Sequence, residues 1–158
     1  MRIISNGFSN LIYVHPVRTA GTSIESFLDG SELNINKTPL NSWHHDNNGQ
    51  MIDFGGWEMP VQYTDGILEE HLADRKFGGL FDVSHMGRFR IKGSGKLKFM
   101  QYVLTNNVLC LKPRQAQYTL IANETGGAVD DAYLYRFGEE DYLLVVNASN
   151  RVKVWEHF

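Results

Sequence analysis

The spacing of hydrophobic residues predicts two helices in the middle of the chain. From residue 67 to 77, Ile67, Leu68 and Leu72 recur at helical spacing among charged residues, which predicts an amphipathic helix ended by Gly78 and Gly79. A second helix is predicted after Ser94, whose hydroxyl is a suitable N-cap. Its apolar face carries four residues: Leu97, Met100, Val103 and Leu104.

The remaining hydrophobic runs have the two-residue period of β-strands. Residues 80–92 are predicted to be extended, with alternation clearest over 88–92, and three more strand-like runs occupy 118–122, 128–137 and 142–147. A polar turn at 138–141 joins the last two runs. Helices interspersed with hairpin-linked strands predict an α+β fold with a mainly antiparallel sheet and packed helices.

Composition excludes several classes of protein. The 158 residues are 42% hydrophobic, enough for a packed core, and the net charge of -3 with no basic cluster argues against a nucleic-acid partner. No stretch approaches the roughly 20 apolar residues of a membrane-spanning helix. The single cysteine, Cys110, permits no internal disulfide and lies in an apolar run, so we expect it to be buried.

The first 36 residues differ in style from the rest of the chain. A short β-prone run at 11–14 leads into a loop and then a helical pattern at 24–28, before a polar stretch at 31–37. We place a domain boundary in that stretch. The predicted domains are an unrelated leader over 1–36 and a second domain over 37–158.

The candidate chemistry lies on the run at 128–137. In a strand, Asp131, Tyr133 and Tyr135 share one face, while Asp130 and Leu134 share the other. A carboxylate beside phenol rings suits a flat, nitrogen-rich ligand, since the acid accepts from ring N–H groups. A solvent-exposed strand face with an acidic pair is the alternative that spacing alone leaves open.

Two other kinds of site are not supported by the sequence. Ser84 and His85 are adjacent in a run read as extended, so their side chains would point apart and could not act as a nucleophile and base. Neither His44 and His45 nor His71 forms a familiar metal-ligand spacing, and we expect no metal site.

Several motifs in order resemble the T-protein aminomethyltransferases of the glycine cleavage system. They are MIDFGGWEMPVQY at 51–63, GLFDVSHMG at 79–87, NETGGAVDD at 123–131 and LLVVNASN at 143–150. The resemblance runs from about residue 37 to 158. It implies the folate-binding, amino-terminal part of that family's fold.

The resemblance also implies an activity and its residues. The family moves the one-carbon unit of an aminomethyl-lipoyl H-protein to tetrahydrofolate and releases ammonia, without a metal. By motif, Asp131 matches the catalytic carboxylate, while Met86, Tyr133, Tyr135 and Asn147 match residues of the folate pocket. The family often has a smaller aliphatic residue at the position of Tyr133.

The family's chain continues well beyond the position of Phe158 and supplies further pocket residues, so we expect this fragment to be inactive. Because no targeting signal is convincing and the chain has a single cysteine, we expect a cytoplasmic location. Two alternatives remain: the related folate-binding module of sarcosine or dimethylglycine demethylating systems, and a non-catalytic folate-binding fragment.

The leader has a resemblance of its own. IYVHPVRTAGTS at 12–23, with the helical pattern to residue 28, resembles the phosphate-binding strand–loop–helix of sulfotransferases. Arg18 replaces that motif's usual lysine. Too few residues precede the second domain to complete such a fold, which needs about 30 for one βαβ unit. We therefore interpret this segment as a fused or vestigial leader.

Overall fold

The structure, a computed structural model, describes the backbone of residues 2–4 and 12–16 and all of residues 35–158. Within these residues the chain forms nine strands and four α-helices. The strands are β1 (Arg2–Ile4), β2 (Ile12–Pro16), β3 (Asn36–Lys37), β4 (Gln50–Asp53), β5 (Trp57–Gln62), β6 (Gly87–Lys92), β7 (Gln115–Ala122), β8 (Ala128–Arg136) and β9 (Tyr142–Val146). The helices are α1 (Asn41–Asp46), α2 (Gly66–Lys76), α3 (Lys96–Val103) and α4 (Arg151–His157).

The chain divides into two compact units, one from 1–17 with 86–158 and the other from 18–85. The first unit contains a six-stranded sheet in the order β1-β2-β6-β9-β8-β7, with every neighbouring pair antiparallel. The second contains a three-stranded sheet, β3-β5-β4, in which β3 is parallel to β5 and β4 is antiparallel to it.

One face of the six-stranded sheet is buried against α3 and α4. Alternate residues of β6, β8 and β9 point into this core, where Ile91, Leu134 and Val146 are completely buried. Helix α3 contributes Phe99 and Met100, and Phe158 after α4 packs edge-on against Phe99 with ring centroids 5.2 Å apart. The opposite face of these strands is therefore left free to carry polar and aromatic groups.

Residues 35–85, the described part of the second unit, leave much of their apolar surface exposed. None of the residues of α2 is buried. Phe77 and Leu80, just after it, are 89% and 97% exposed. The helix predicted at 67–77 is thus present, but its apolar stripe does not pack on a core within this unit.

The structure confirms the predicted fold class and corrects four details. Gly95 rather than Ser94 precedes α3, and no side chain caps that helix. Strand β6 begins only at Gly87, because residues 80–86 form no strand. A short helix, α1, forms where no helix was predicted. Cys110 is exposed rather than buried, since it ends a 3₁₀ turn at 108–110 in which Val108 takes the buried position.

The leader is described only in part. Strand β2 covers most of the run predicted to be extended, and it pairs with β6. The predicted phosphate-binding loop after residue 16 and the helical pattern at 24–28 lie outside the described residues. The boundary between a leader over 1–36 and a domain over 37–158 stays a prediction.

Candidate functional site

The outer face of β8 presents the carboxylate singled out in the sequence. Asp131 and Tyr133 are exposed, with Tyr133 48% exposed, whereas Asp130 and Leu134 on either side are 5% and 0% exposed. The alternation follows from the two-residue period of the strand. It buries one carboxylate of the Asp-Asp pair and leaves the other on the open face.

Two neighbouring strands hold the Asp131 carboxylate in place. The Tyr118 hydroxyl, on β7, donates to Asp131 Oδ2 at 3.1 Å. Asn147 Nδ2, just after β9, donates to Asp131 Oδ1 at 2.6 Å. The hydrogen bond to Asp131 raises the pKa of Tyr118, because the phenol proton is held by the carboxylate. Both oxygens of Asp131 therefore have a fixed donor, which sets the direction of the carboxylate.

An aromatic row runs away from Asp131 along the same face. Tyr118 and Tyr133 are directly opposite in the β7–β8 register, with ring centroids 5.7 Å apart. Tyr133 and Tyr135 follow at 6.0 Å, and Phe137 stacks on Tyr135 at 6.2 Å with an interplanar angle of 13°. These four rings form a strip of apolar surface with polar tips, of the kind that accommodates a planar ring.

Asp130 lies on the buried side of the same strand and is surrounded by donors. The backbone N–H of Asn147 donates to Asp130 Oδ2 at 2.9 Å. The side-chain amides of Asn147 and Asn150 donate to Asp130 Oδ1 at 2.9 and 2.8 Å. A buried carboxylate needs several such donors to remain charged. The acidic pair is thus joined through one residue, Asn147, whose Nδ2 contacts both carboxylates.

Met86 lies at the same edge of the sheet. It immediately precedes β6 and is half-buried. Gly87, the next residue, is paired with Val146, and Val146 directly precedes Asn147. The antiparallel register therefore brings the backbone of Met86 opposite that of Asn147. The structure thus places four of the predicted residues around one face and Met86 at its edge.

Sequence reasoning missed Tyr118 and Asp130 as members of this site. Tyr118 is 13 residues from Asp131 along the chain, and only the β7–β8 register brings the two side chains together. Asp130 was predicted to face the core, and it does. The signal that could have marked it is chemical, since a buried carboxylate requires donors and Asn147 and Asn150 follow the next strand.

A separate buried network occupies the unit at 18–85. His44 Nε2 lies 3.0 Å from Asp82 Oδ2, and His44 Nδ1 lies 2.6 Å from the Tyr63 hydroxyl. The His44 and Asp82 side chains are only 4% and 3% exposed. Burial acts to raise the pKa of Asp82, but its hydrogen bonds with His44 and Ser84 outweigh it and hold that pKa well below its usual range. This network joins the segment after α2 to α1 and to the residue that follows β5.

The described residues contain neither a metal-binding cluster nor a membrane-spanning helix. Within 35–158 no group of three His, Cys, Asp or Glu side chains is arranged to hold a metal ion. None of the four helices described above has the length and apolar character needed to cross a bilayer.

Comparison with known proteins gives consistent results. Residues 40–158 match the family described as GCVT N-terminal domain. The chain is 52% identical over 126 residues to an aminomethyltransferase of Deinococcus deserti, covering 80% of this chain and 35% of the relative. It is 51% identical over 119 residues to one of Desulfitobacterium hafniense, covering 75% and 32%.

The fold agrees with a solved structure. The glycine cleavage system aminomethyltransferase T from Bartonella henselae superposes with a TM-score of 0.74 at 35% identity, over 77% of this chain and 34% of that one. The chain spans about a third of the length of these relatives. On the family match and these identities, it belongs to the aminomethyltransferase family of the glycine cleavage T-protein and represents that family's GCVT N-terminal domain.

Proposed function

We propose that this chain supplies the folate-binding part of an aminomethyltransferase that passes the one-carbon unit of aminomethyl-lipoyl H-protein to tetrahydrofolate, with release of ammonia. The observation that carries the proposal is the exposed Asp131 carboxylate, fixed by Tyr118 and Asn147 beside a row of aromatic rings. In this reading Asp131 is the catalytic carboxylate. Met86, Tyr133, Tyr135 and Asn147 contribute to the folate pocket.

The arrangement suits the chemistry of the transfer. Moving carbon from the lipoyl sulfur to a pterin nitrogen requires the pterin to be held in line with the S–CH₂–N carbon, which is mostly a matter of positioning. A carboxylate fixed before substrate arrives stabilises the positive charge that develops on the iminium-like carbon. Because Asn147 and Tyr118 already hold both oxygens, Asp131 does not need to reorient during the reaction.

The aromatic row supports a planar substrate rather than a flexible one. The phenol rings of Tyr133 and Tyr135 lie beside the carboxylate on the open face of the sheet. Tyr118 adds a third ring and ties it directly to Asp131. A pterin ring placed on this face can contact aromatic surface while its N–H groups face the carboxylate.

Glycine cleavage is favoured over the demethylase alternative by the relatives, which are named aminomethyltransferase, and by the solved neighbour from that system. The lipoylated H-protein is accordingly the proposed protein partner, and the cytoplasm the proposed location. The whole reaction is proposed for the complete polypeptide. The present residues comprise about a third of the relatives' length.

Binding tests the folate half of this proposal. Isothermal titration of the chain with tetrahydrofolate should give measurable heat, and Asp131→Asn should weaken binding at least about tenfold, the effect of losing a hydrogen bond to a charged group. Asp141→Asn is the matched control, because Asp141 pairs with Arg90 on the surface at the far end of β9. Absence of binding in the parent chain would contradict the folate assignment.

A chimera tests the catalytic half. Residues 37–158 would replace the matching third of the Deinococcus deserti aminomethyltransferase, so that the rest of the pocket is present. The chimera should release ammonia from aminomethyl-lipoyl H-protein in the presence of tetrahydrofolate, and Asp131→Asn should abolish release without changing the fold. A chimera that binds tetrahydrofolate but transfers nothing would leave only a folate-binding fragment.

A further inference from the structure

The side-chain amide of Asn147 lies between two carboxylates with different environments. Its Nδ2 is 2.9 Å from Oδ1 of the buried Asp130 and 2.6 Å from Oδ1 of the exposed Asp131. The amide has two N–H groups, so each carboxylate takes one. A third, longer contact of 3.3 Å to the Asp131 carbonyl adds little.

The direction of this amide is determined by the charges around it. If the amide were rotated by 180°, its carbonyl oxygen would face two anionic oxygens at hydrogen-bond distance, which is repulsive. The NH₂ group must therefore face the carboxylates, and the carbonyl oxygen must point away from them. Asn147 begins a 3₁₀ turn at Ala148–Asn150, yet its side chain does not cap that turn. An asparagine at such a position commonly does.

Asp130 is the group that can impose this arrangement. It is 5% exposed and receives the backbone N–H of Asn147 as well as its side-chain amide, so it grips one residue at two points. Asp131 is exposed and holds the same amide through one oxygen only. The rigid anchor is consequently the buried carboxylate.

We infer that Asp130 is a positioning residue for the proposed transfer reaction. Asp130 fixes the side-chain amide of Asn147, so that the NH₂ group of Asn147 holds Asp131. The carbonyl oxygen of the same amide is then left to accept a hydrogen bond from the substrate. This inference rests on the proposed function. It assigns a function to the first carboxylate of the Asp-Asp pair. That carboxylate contacts no substrate itself.

A structural role alone predicts a different outcome from the same substitutions. If Asp130 only satisfied the turn after β9, loss of Asn150, the other residue whose side chain donates to it, would be as harmful as loss of its contact with Asn147. A positioning role predicts that Asn150→Ala leaves the Asn147 amide and folate affinity unchanged. Asp130→Asn would disturb both the Asn147 amide and the folate affinity. The NH₂ group that the substitution introduces cannot accept hydrogen bonds from the donors that face position 130.

The experiment compares three variants of the 158-residue chain with the parent: Asp130→Asn, Asn150→Ala and Asp141→Asn. The side-chain ¹H–¹⁵N resonances of Asn147 report the amide, calorimetry with tetrahydrofolate reports affinity, and thermal unfolding reports the fold. We expect Asp130→Asn to shift the Asn147 resonances and raise the Kd about tenfold. We expect the other two variants to match the parent in both respects.

If Asp130→Asn does not fold, Asp130→Glu gives a second test, because it keeps the carboxylate but moves it by one methylene group. It should also shift the Asn147 side-chain resonances and raise the Kd for tetrahydrofolate. Asn147 resonances that are unchanged in a folded Asp130→Asn or Asp130→Glu variant would overturn the inference. Shifted resonances with unchanged affinity would reduce Asp130 to a structural role.

Failure of the proposed function is distinguishable from failure of this inference. Suppose that the parent chain binds no tetrahydrofolate while the Asn147 resonances still respond to Asp130→Asn. The proposed function then fails, and the inferred role of Asp130 in transfer fails with it, although the contact between Asp130 and the Asn147 amide is supported. If the parent binds and Asp130→Asn changes neither readout, the inference fails and the proposed function stands.

Discussion

Gly87 lies where the sheet has no room for a side chain. A Cβ atom added to it would meet Val146 Cγ2 at 2.6 Å and Arg151 Cβ at 2.8 Å. Comfortable carbon–carbon contacts are about 3.5–4.0 Å, so Gly87→Ala creates overlaps close to 1 Å on two sides. Because Val146 is completely buried and paired with Gly87 in the β6–β9 ladder, neither neighbour can move without shifting the core.

The cost of this substitution follows from two opposing effects. Overpacking a core position costs about 1–3 kcal/mol. Replacing glycine by alanine reduces the entropy of the unfolded chain and returns about 0.4–1 kcal/mol. We therefore expect Gly87→Ala to lower the free energy of unfolding by about 1–2 kcal/mol. Asn147 follows Val146 and should lose part of its contact with Asp130.

Urea unfolding followed by circular dichroism measures this change, with an unchanged slope showing that the compactness of the two states is preserved. Gly138→Ala is the control, since a Cβ there would have only Asp141 Cβ nearby, at 4.0 Å. It should be neutral or slightly stabilising.

A double variant tests whether the clash with Val146 is the cause. Val146→Ala removes one of the clashing atoms, so the variant with both Gly87→Ala and Val146→Ala should be more stable than the sum of the two single effects predicts. The difference should be about 0.5–3 kcal/mol, the range found for coupled neighbours. Parent-like stability of Gly87→Ala, or zero coupling with Val146→Ala, would refute the reasoning.

Three further predictions concern hydrogen bonds. Asp131→Asn should lower the pKa of Tyr118 toward its ordinary value of about 10, read from the tyrosine ¹³Cζ resonance, and an unmoved Tyr118 resonance would argue against their contact. Tyr142→Phe should raise the free energy of unfolding by up to about 1–2 kcal/mol, because this hydroxyl is buried with no hydrogen-bond partner among the described residues; a loss of stability would show that a partner exists. Asp82→Asn should lower stability by about 1.5–3 kcal/mol at neutral pH. Since the pKa of Asp82 is lower in the folded than in the unfolded state, its contribution is present above about pH 4 and is lost at lower pH, so parent and variant should converge in acid urea titrations.

The strands of the larger unit were predictable because their patterns are local. Alternation over 128–137 predicted which residues of β8 face the core, and the structure confirms this for Asp130 and Leu134. The helix at 96–103 was predictable for the same reason, since its apolar residues recur at helical spacing. In each case burial on one face of one element suffices to determine the pattern.

Pairing between distant segments was not predictable in this way. No local pattern places Tyr118 beside Asp131, because their contact depends on the register of β7 against β8. The clamp between His44 and Asp82 likewise joins residues 38 positions apart. Side-chain contacts of this kind depend on tertiary structure. The periodicity of a single segment carries no information about which distant segment lies beside it.

Two local patterns were misleading. The apolar stripe of α2 looks like a core-facing stripe, but every residue of that helix remains unburied within its unit. Cys110 lies in an apolar run, but the run forms a 3₁₀ turn in which Val108 is buried and Leu109 is 64% exposed. Hydrophobic composition indicates that burial is possible, and tertiary contacts determine whether it occurs.

The Asp-Asp pair shows how adjacent identical residues acquire different chemistry. Neighbouring positions in a strand point to opposite faces, so one carboxylate must be buried when the other is exposed. A carboxylate buried as Asp130 is needs hydrogen-bond donors around it, and the turn after β9 supplies them through Asn147 and Asn150. The same Asn147 amide reaches across to Asp131, so the donors required by burial also fix the exposed acid. The motifs at 123–131 and 143–150 are therefore physically coupled: a substitution that neutralises Asp130 alters the surroundings of Asp131 without touching it.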